Sequence, residues 1–343
     1  MITTVYGRAA APFVAPVARD LCAAAAAAGG SIAAVTIEQA IANPDWCADV
    51  HRVYVLPFDP PATSPLPRGT DRPASPAALV RAVFPRAEVA NSFAVQDLCW
   101  DKVATQERLL ERGIPVPDTL VSADPTEVVD FVRRHGFAVL KERHSCGGQG
   151  HVVVWFEDGR LVGDCGSRQC RIDLVAEGTR HLEAERFIYP APFYVQRLVT
   201  DVSLRLRTPA QVLRAYVVDN HVVFWTERYR DRYIRPADWI LNAARGAKYR
   251  FVQSVSEEAK KIALRTAEVI GMRIGAVDMV RAGSIGPYVI EVDTDGYHMI
   301  IDRQFKDIPE YREFFNLDRY IAEALLLEPL VYTPRTDRSP KPF

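Results

Sequence analysis

The sequence predicts an α/β chain in which a small parallel α/β domain precedes two α+β subdomains. Three observations carry this. The first ninety or so residues alternate strand-like and helix-like segments. From about residue 193 the pattern turns mostly β, with one clear helix interrupting it. A length of 343 residues is two or three domains' worth of chain, with ample core. The expected boundaries are 1–92 for the N-terminal domain, 93–192 for a central lid subdomain and 193–332 for a C-terminal subdomain, with 333–343 a disordered tail.

Each element has its own signal. "ITTVYG" reads as a strand, and "APFVAPVARDLCAAAAAAGG" as an Ala-rich helix stopped by Gly29 and Gly30. "SIAAVTI" and "HRVYVLPF" are strand-like, and such alternation favours a parallel sheet. Residues 57–76 form a Pro-rich surface excursion. "SFAVQDLCWDKVATQERLLERG" has helical periodicity closed by Gly113 and Pro115. "DTLVS", the helix "DPTEVVDFVRRHG", and the strands "FAVLKE" and "HVVVWFE" around a glycine loop follow. "YVQRLV", "QVLRAYVV" and "HVVFWTERY" are β. In "SVSEEAKKIALRTAEVIG", Ser254 and Glu257 suit a capping box, and Ala259, Ile262, Ala263, Thr266, Val269 and Ile270 mark a buried stripe. The strands "IGAVDMVR" and "PYVIEVD" and a helix around "LDRYIAEALLL" complete the pattern.

Composition narrows the function. Forty-two basic residues against 43 acidic give a net charge of −1, so no global field points to nucleic acid or an anionic membrane. No apolar run approaches the roughly 20 residues that span a bilayer, and the N-terminus lacks a signal-peptide pattern. Six cysteines make no disulfide framework in so long a chain. Cys165 and Cys170 are close, but no second Cys/His pair stands at zinc-ligand spacing. The expectation is a cytoplasmic, reduced protein.

Four features could carry chemistry. In "GPYVIEVDTDG", Glu291 and Asp293 stand two apart on a strand and share a face. Side by side they repel, so either they form a solvated strand end or they face a cation. Asp278, in the apolar strand "GAVDMV", is costly to bury alone; an ion pair, or a metal shared with the other two acids, would accommodate it. Lys141 ends an apolar strand and leads into "SCGGQG", where Ser145, Gly147, Gly148 and Gly150 suit either a flexible hairpin or a phosphate cradle. Lys102 lies on an amphipathic helix, where a solvated lysine is the bland alternative. Arg214, Arg228, Arg230 and Arg245 could bind carboxylate or phosphate, or simply decorate the surface of an Arg-rich protein.

Taken in order, these pieces resemble the ATP-grasp superfamily, most closely its RimK-type glutamate-ligase branch. The resemblance rests on "NSFAVQDLCWDKVATQERLLERGIPVPDTLVS", "VLKERHSCGGQGHVVV", "YVQRLV", "LRAYVV", "NAARG", "GAVDMV" and "EVDTDG", and covers roughly residues 91–300. It implies an ATP-grasp fold in which Lys102, Lys141 and the Ser145–Gly150 loop contact ATP phosphates, and Gln196 and Leu198 line the adenine pocket. Asp278, Glu291 and Asp293 would hold Mg²⁺, with two ions expected and Mn²⁺ an alternative, and Asn242 would assist. Arg214 and Arg245 would stabilise the transferred phosphate and the acyl intermediate. The reaction implied is ATP-dependent carboxylate–amine ligation through an acyl phosphate, on an amino acid, peptide or specialised metabolite, with the lid at 118–192 closing to exclude water. An ATP-grasp kinase and a non-catalytic ATP-binding regulator are the alternatives. Relatives imply a homodimer or homotetramer.

This chain departs from the pattern in three places. Asp293 stands where the family usually has Asn, "TDGYHMI" replaces the usual Ser-Pro-Gly, and Val212 replaces an acid two residues before Arg214. Glutamate is therefore not carried over as the added amino acid. Glu291→Gln or Asp278→Asn is expected to abolish activity and leave the fold intact.

Overall fold

A computed structural model describes residues 1–6, 11–56, 76–144, 151–164, 169–175, 178–181, 186–199, 211–231, 233, 236–242, 246–294, 305 and 307–326. The tail expected beyond 333 and the loop at 145–150 lie outside these residues, as do Arg245 and Cys165.

Three sheets organise the chain. The first is the expected parallel sheet, β1 (Ile2–Tyr6), β2 (Ala33–Thr36), β3 (Arg52–Val55) and β4 (Glu88–Ala90), in the order β2-β1-β3-β4. The helix α1 (Ala11–Ala27) connects β1 to β2, and α2 (Ile37–Ala42), α3 (Pro44–Ala48) and α4 (Pro76–Val83) follow. Thr36 and Gln39 form a reciprocal cap on α2. The two glycines that end α1 differ in cause. Gly29 adopts φ +81°, whereas a Cβ on Gly30 would stand 2.2 Å from Leu326 Cδ2 of the helix Leu317–Leu326.

The single helix expected over 92–113 is two, α5 (Phe93–Trp100) and α6 (Lys102–Glu111), broken at Asp101. The Asp101 carboxylate accepts from Val103 N at 3.1 Å and Ala104 N at 3.2 Å, so a side chain that competes with helical backbone becomes the cap of a new helix.

The second sheet is eight-stranded and antiparallel: β5 (Thr119–Ser122), β6 (Phe137–Lys141), β7 (Val152–Glu157), β8 (Arg160–Asp164), β9 (Gln169–Val175), β10 (Gly178–His181), β11 (Arg186–Pro190) and β12 (Phe193–Arg197), ordered β11-β10-β9-β8-β7-β6-β12-β5. The helix α7 (Pro125–His135), capped by Asp124, buries Val128, Phe131 and Val132 against Leu140, Val152 and Val195. This corrects the boundary expected at 192/193: β12 lies between β6 and β5, inside the lid sheet.

The third sheet orders β13 (Gln211–Val218), β14 (His221–Tyr229), β15 (Lys248–Val252), β16 (Ile274–Ala282) and β17 (Ile285–Asp293) as β15-β14-β13-β16-β17. Its two faces follow strand alternation. Leu213, Ala215 and Val217 meet α8 (Glu257–Ile270) together with Val95, Leu109 and Ile114. Residues 93–114 therefore pack on the C-terminal sheet rather than in the lid, a second correction to the expected domain limits. Tyr216 and Val218 face the other way, into a core shared with Leu21 and Ala25 of α1 and Ile321 and Leu325 of the helix Leu317–Leu326. The cap of α8 is Ser256, which accepts from Ala259 N at 3.2 Å, not Ser254. Ala267 joins its fully buried stripe, while Ile262 and Val269 are only partly covered. Among the described residues no helix is long and apolar enough to cross a membrane.

Asn91 joins the first and third sheets. Its buried amide donates to Ile274 O at 2.6 Å and Thr294 O at 3.3 Å, and its carbonyl accepts from Arg273 N at 2.7 Å and Ile274 N at 3.0 Å. Asn91→Ala strands several buried backbone groups, so a loss of about 2–4 kcal/mol in denaturant unfolding is expected; a loss below ~1 kcal/mol would show that water replaces the amide.

Candidate functional site

The three acids sit on neighbouring strands as their spacing requires, but they do different things. Asp278 of β16 pairs directly with Glu291 of β17, and a register shift then sets Met279 opposite Val289. Asp293 pairs with Ala276. Directly opposed residues share a face, so Asp278 and Glu291 emerge together.

Asp278 is also the cross-strand partner of Arg214 on β13. Its Oδ1 accepts from Arg214 Nε at 2.6 Å, and its Oδ2 accepts from Arg214 Nη2 at 2.8 Å and Arg228 Nη2 at 2.5 Å. Asp278 is 1% exposed, Arg214 5% and Arg228 4%. Burial alone would raise the Asp278 pKa, yet the Arg214 and Arg228 guanidiniums hold it below the ordinary carboxylate value. Arg214 Nη1 continues to Asp293 Oδ2 at 3.3 Å. Among the described residues no three His, Cys, Asp or Glu side chains gather closely enough to hold an ion together. Asp278 anchors two arginines, because a buried carboxylate between guanidiniums is satisfied without a cation. Asn242, the fourth expected ligand, accepts through its backbone carbonyl from Ala247 N at 3.0 Å and follows Leu241, whose carbonyl accepts from Arg228 Nη1 at 3.2 Å.

Lys102 pairs with Glu291, and Lys141 lies near enough to feel its charge. Lys102, the first residue of α6, is 9% exposed, and its Nζ stands 3.6 Å from Glu291 Oε1. That excludes the solvated lysine its helix pattern allowed. Lys102 is placed by Asp101, which also takes both Arg143 Nε and Nη2 at 2.8 Å, while Lys102 N donates to Arg143 O at 3.1 Å. The root of the glycine loop is thereby tied to the start of α6.

Lys141, at the end of β6, donates to Gln196 Oε1 at 2.5 Å. Burial, partly opposed by Glu291 and reinforced by Lys102, lowers its pKa to about 8. Gln196 in turn donates to Gln106 Oε1 at 3.3 Å and Thr119 Oγ1 at 3.2 Å, and Gln106 Nε2 reaches Val289 O at 3.4 Å. This relay joins the lid sheet to the edge strand β17. The Gln196 amide thereby positions Lys141. Leu198 donates its N–H to Phe137 O at 3.1 Å and packs against Val153, Trp155 and Val162.

Sequence reasoning passed over Gln106, Asp101 and Arg143, and read Arg228 as surface. The signal for Arg228 was strand period: two apart along β14 it shares a face with Phe224 and Thr226, and all three are buried.

Two α+β sheets closing around a lysine–carboxylate cluster, behind a parallel α/β domain, are the architecture of ATP-grasp proteins. The D-alanine–D-alanine ligase of Bacillus anthracis complexed with ATP superposes with a TM-score of 0.60 at 13% identity, covering 95% of this chain and 97% of that one. The ATP-grasp ligase PsnB complexed with a minimal precursor gives 0.58 at 20% identity, covering 94% and 97%. The chain has the ATP-grasp fold. More narrowly, residues 206–308 match the family model of the RimK-like ATP-grasp domain. It is similar to the alpha-aminoadipate–LysW ligase LysX of Saccharolobus solfataricus, 21% identical over 240 residues, which are 70% of this chain and 73% of that protein. It spans 55% to 73% of the length of the first curated relatives it matches.

Proposed function

We propose that this chain is an ATP-dependent carboxylate–amine ligase. The observation that carries the reading is the pairing of Lys102 with Glu291 of the C-terminal sheet, while Lys141 of the lid sheet, held by Gln196, is near enough to feel the charge of both. The ammonium groups take the phosphates of ATP, and the relay through Gln196 and Gln106 keeps Lys141 aimed while the sheets close.

Glu291 and Asp293 fit a divalent ion. Both are partly exposed hard-oxygen donors on one strand, beside the lysines, a set that suits Mg²⁺ when phosphate oxygens complete its shell. Bound there, the ion would neutralise charge on the γ-phosphate as it moves. These donors account for one ion rather than two. Asp278, occupied by arginines, holds Arg214 in place.

In the reaction, a substrate carboxylate oxygen attacks the γ-phosphorus and ADP leaves, giving an acyl phosphate. The amine then attacks the acyl carbon; as phosphate departs, the nitrogen gives up its proton and an amide forms. Arg214 Nη1, aimed along the site at Asp293, is placed to stabilise negative charge on the phosphate or the tetrahedral oxyanion. Closure of the lid protects the acyl phosphate from water.

The substrates are small-molecule or peptide carboxylates and amines. The extra charge of Asp293, compared with the Asn usual in the family, would change the affinity for the ion. A screen of amino acids and short peptides for ATP-dependent phosphate release, with mass spectrometry of condensed products, tests the assignment. ADP without a new amide would make the protein a kinase, and no phosphate release with any pair would remove the ligase reading.

A pH profile tests Lys141. In the free protein it is charged below about 8 and neutral above, so kcat/KM for ATP should fall as pH rises through that value. A profile flat from pH 7 to 9.5 would mean that Lys141 does not meet the phosphates in its free-state charge.

A further inference from the structure

The reading above leaves one group in the cleft without work. Tyr194 lies on β12 directly opposite Lys141 on β6, so the two side chains share a sheet face, and Lys141 Nζ stands 5.9 Å from the centre of the Tyr194 ring. The residue is 3% exposed, and its hydroxyl has no hydrogen-bond partner among the described residues. Buried tyrosine hydroxyls ordinarily find one. The obvious neighbours are committed elsewhere: Gln196 to Lys141, Gln106 and Thr119, and Thr119 Oγ1 to Pro117 O as donor.

The charge around the phenol has a clear pattern. Burial first, then the carboxylates of Glu291 and Asp101, push its pKa up, so at neutral pH it keeps its proton and remains a donor. A buried proton donor beside the Lys141 ammonium, with no acceptor among the described residues, matches an anionic oxygen supplied from outside.

We propose that the Tyr194 hydroxyl is an additional ligand of the ATP triphosphate, donating to a phosphoryl oxygen beside Lys141. The inference rests on the reading that ATP binds between Lys102, Lys141 and Glu291, and it adds a neutral donor to the charged ones. The phenol completes the shell of a phosphate that the lysines hold by charge, at a fixed point where a flexible ammonium cannot enforce direction.

Tyr194→Phe removes only the oxygen. Two measurements on the full chain are needed: the thermal midpoint of the free protein, and the affinity for Mg·ATP and for adenosine by calorimetry. The expected result has opposite signs. The free variant melts at the same temperature or higher, because an unsatisfied buried hydroxyl has gone, while Mg·ATP binds about tenfold or more weakly and adenosine is unaffected. Equal Mg·ATP affinity in the two proteins overturns the proposal. So does a lower midpoint in the free variant, which would reveal an internal partner for the hydroxyl. If the unaltered protein itself binds no Mg·ATP, the nucleotide reading falls first and Tyr194 with it, an outcome distinguishable from failure at Tyr194 alone.

Discussion

Asp278→Asn is expected to lower folding stability by about 3–5 kcal/mol, read from the denaturant midpoint at constant m. Its carboxylate is the shared counter-charge of Arg214 and Arg228, both almost fully buried. Asparagine keeps the shape but leaves Arg228 without its carboxylate and Arg214 with only the longer contact to Asp293, and its amide points a donor at another donor. The sequence alone predicts a loss of activity with the fold intact; the structure adds a loss of stability. Acid should reproduce the effect. The Asp278 pKa is lower in the folded chain than in the unfolded one, so its contribution is fully present above the unfolded value near 4. That contribution disappears as pH falls through the folded value. A loss of less than ~1 kcal/mol in Asp278→Asn would mean that the arginines are satisfied by other groups. Replacing Asp278, Arg214 and Arg228 together by apolar residues of similar volume should recover much of the stability, since the desolvation cost of all three charges is then avoided.

Glu291→Gln is expected to do the reverse, reducing turnover by at least about a hundredfold with stability changed by less than ~1 kcal/mol. Glu291 is 27% exposed and faces Lys102 at 3.6 Å, so little of the fold depends on its charge. The site depends on it far more. It is the carboxylate that Lys102 meets, and with Asp293 it is the donor set offered to a cation. Removing several kcal/mol of charge stabilisation corresponds to two or more orders of magnitude in rate. Mg·ATP-dependent phosphate release with the best substrate pair measures it, and a variant retaining half of the activity would place the metal elsewhere. Asp293→Asn gives the contrast: an amide oxygen still coordinates, so that variant should keep activity within about tenfold.

These two acids show how far the residues could be read without the fold. Alternation along "YVIEVD" put Glu291 and Asp293 on one face, and the same rule along "QVLRAYVV" separated Arg214 from the Leu213–Val217 core face. The ordered motifs from Lys102 to Asp293 were legible for the same reason: strand and helix periodicities are local, and a lysine at the end of an apolar strand is unusual enough to notice. Domain limits were not legible. β12 follows β11 in the chain yet inserts between β6 and β5, and α5 and α6 precede the lid yet pack on the sheet that follows it. Asp101 was hidden inside a helical pattern, because periodicity does not reveal where a carboxylate will cap.

By itself, the sequence determined the class of fold, the order of most of its strands and helices outside β8–β11, and which charged residues could be functional, since all of these follow from patterns within ten or so neighbouring residues. Only the tertiary structure decided how those charges pair. Asp278 meets guanidiniums 64 and 50 positions away, and Gln196 reaches Gln106 across 90. The partner a buried charge takes is the nearest group able to repay its lost hydration, and that distance is set by sheet register and packing.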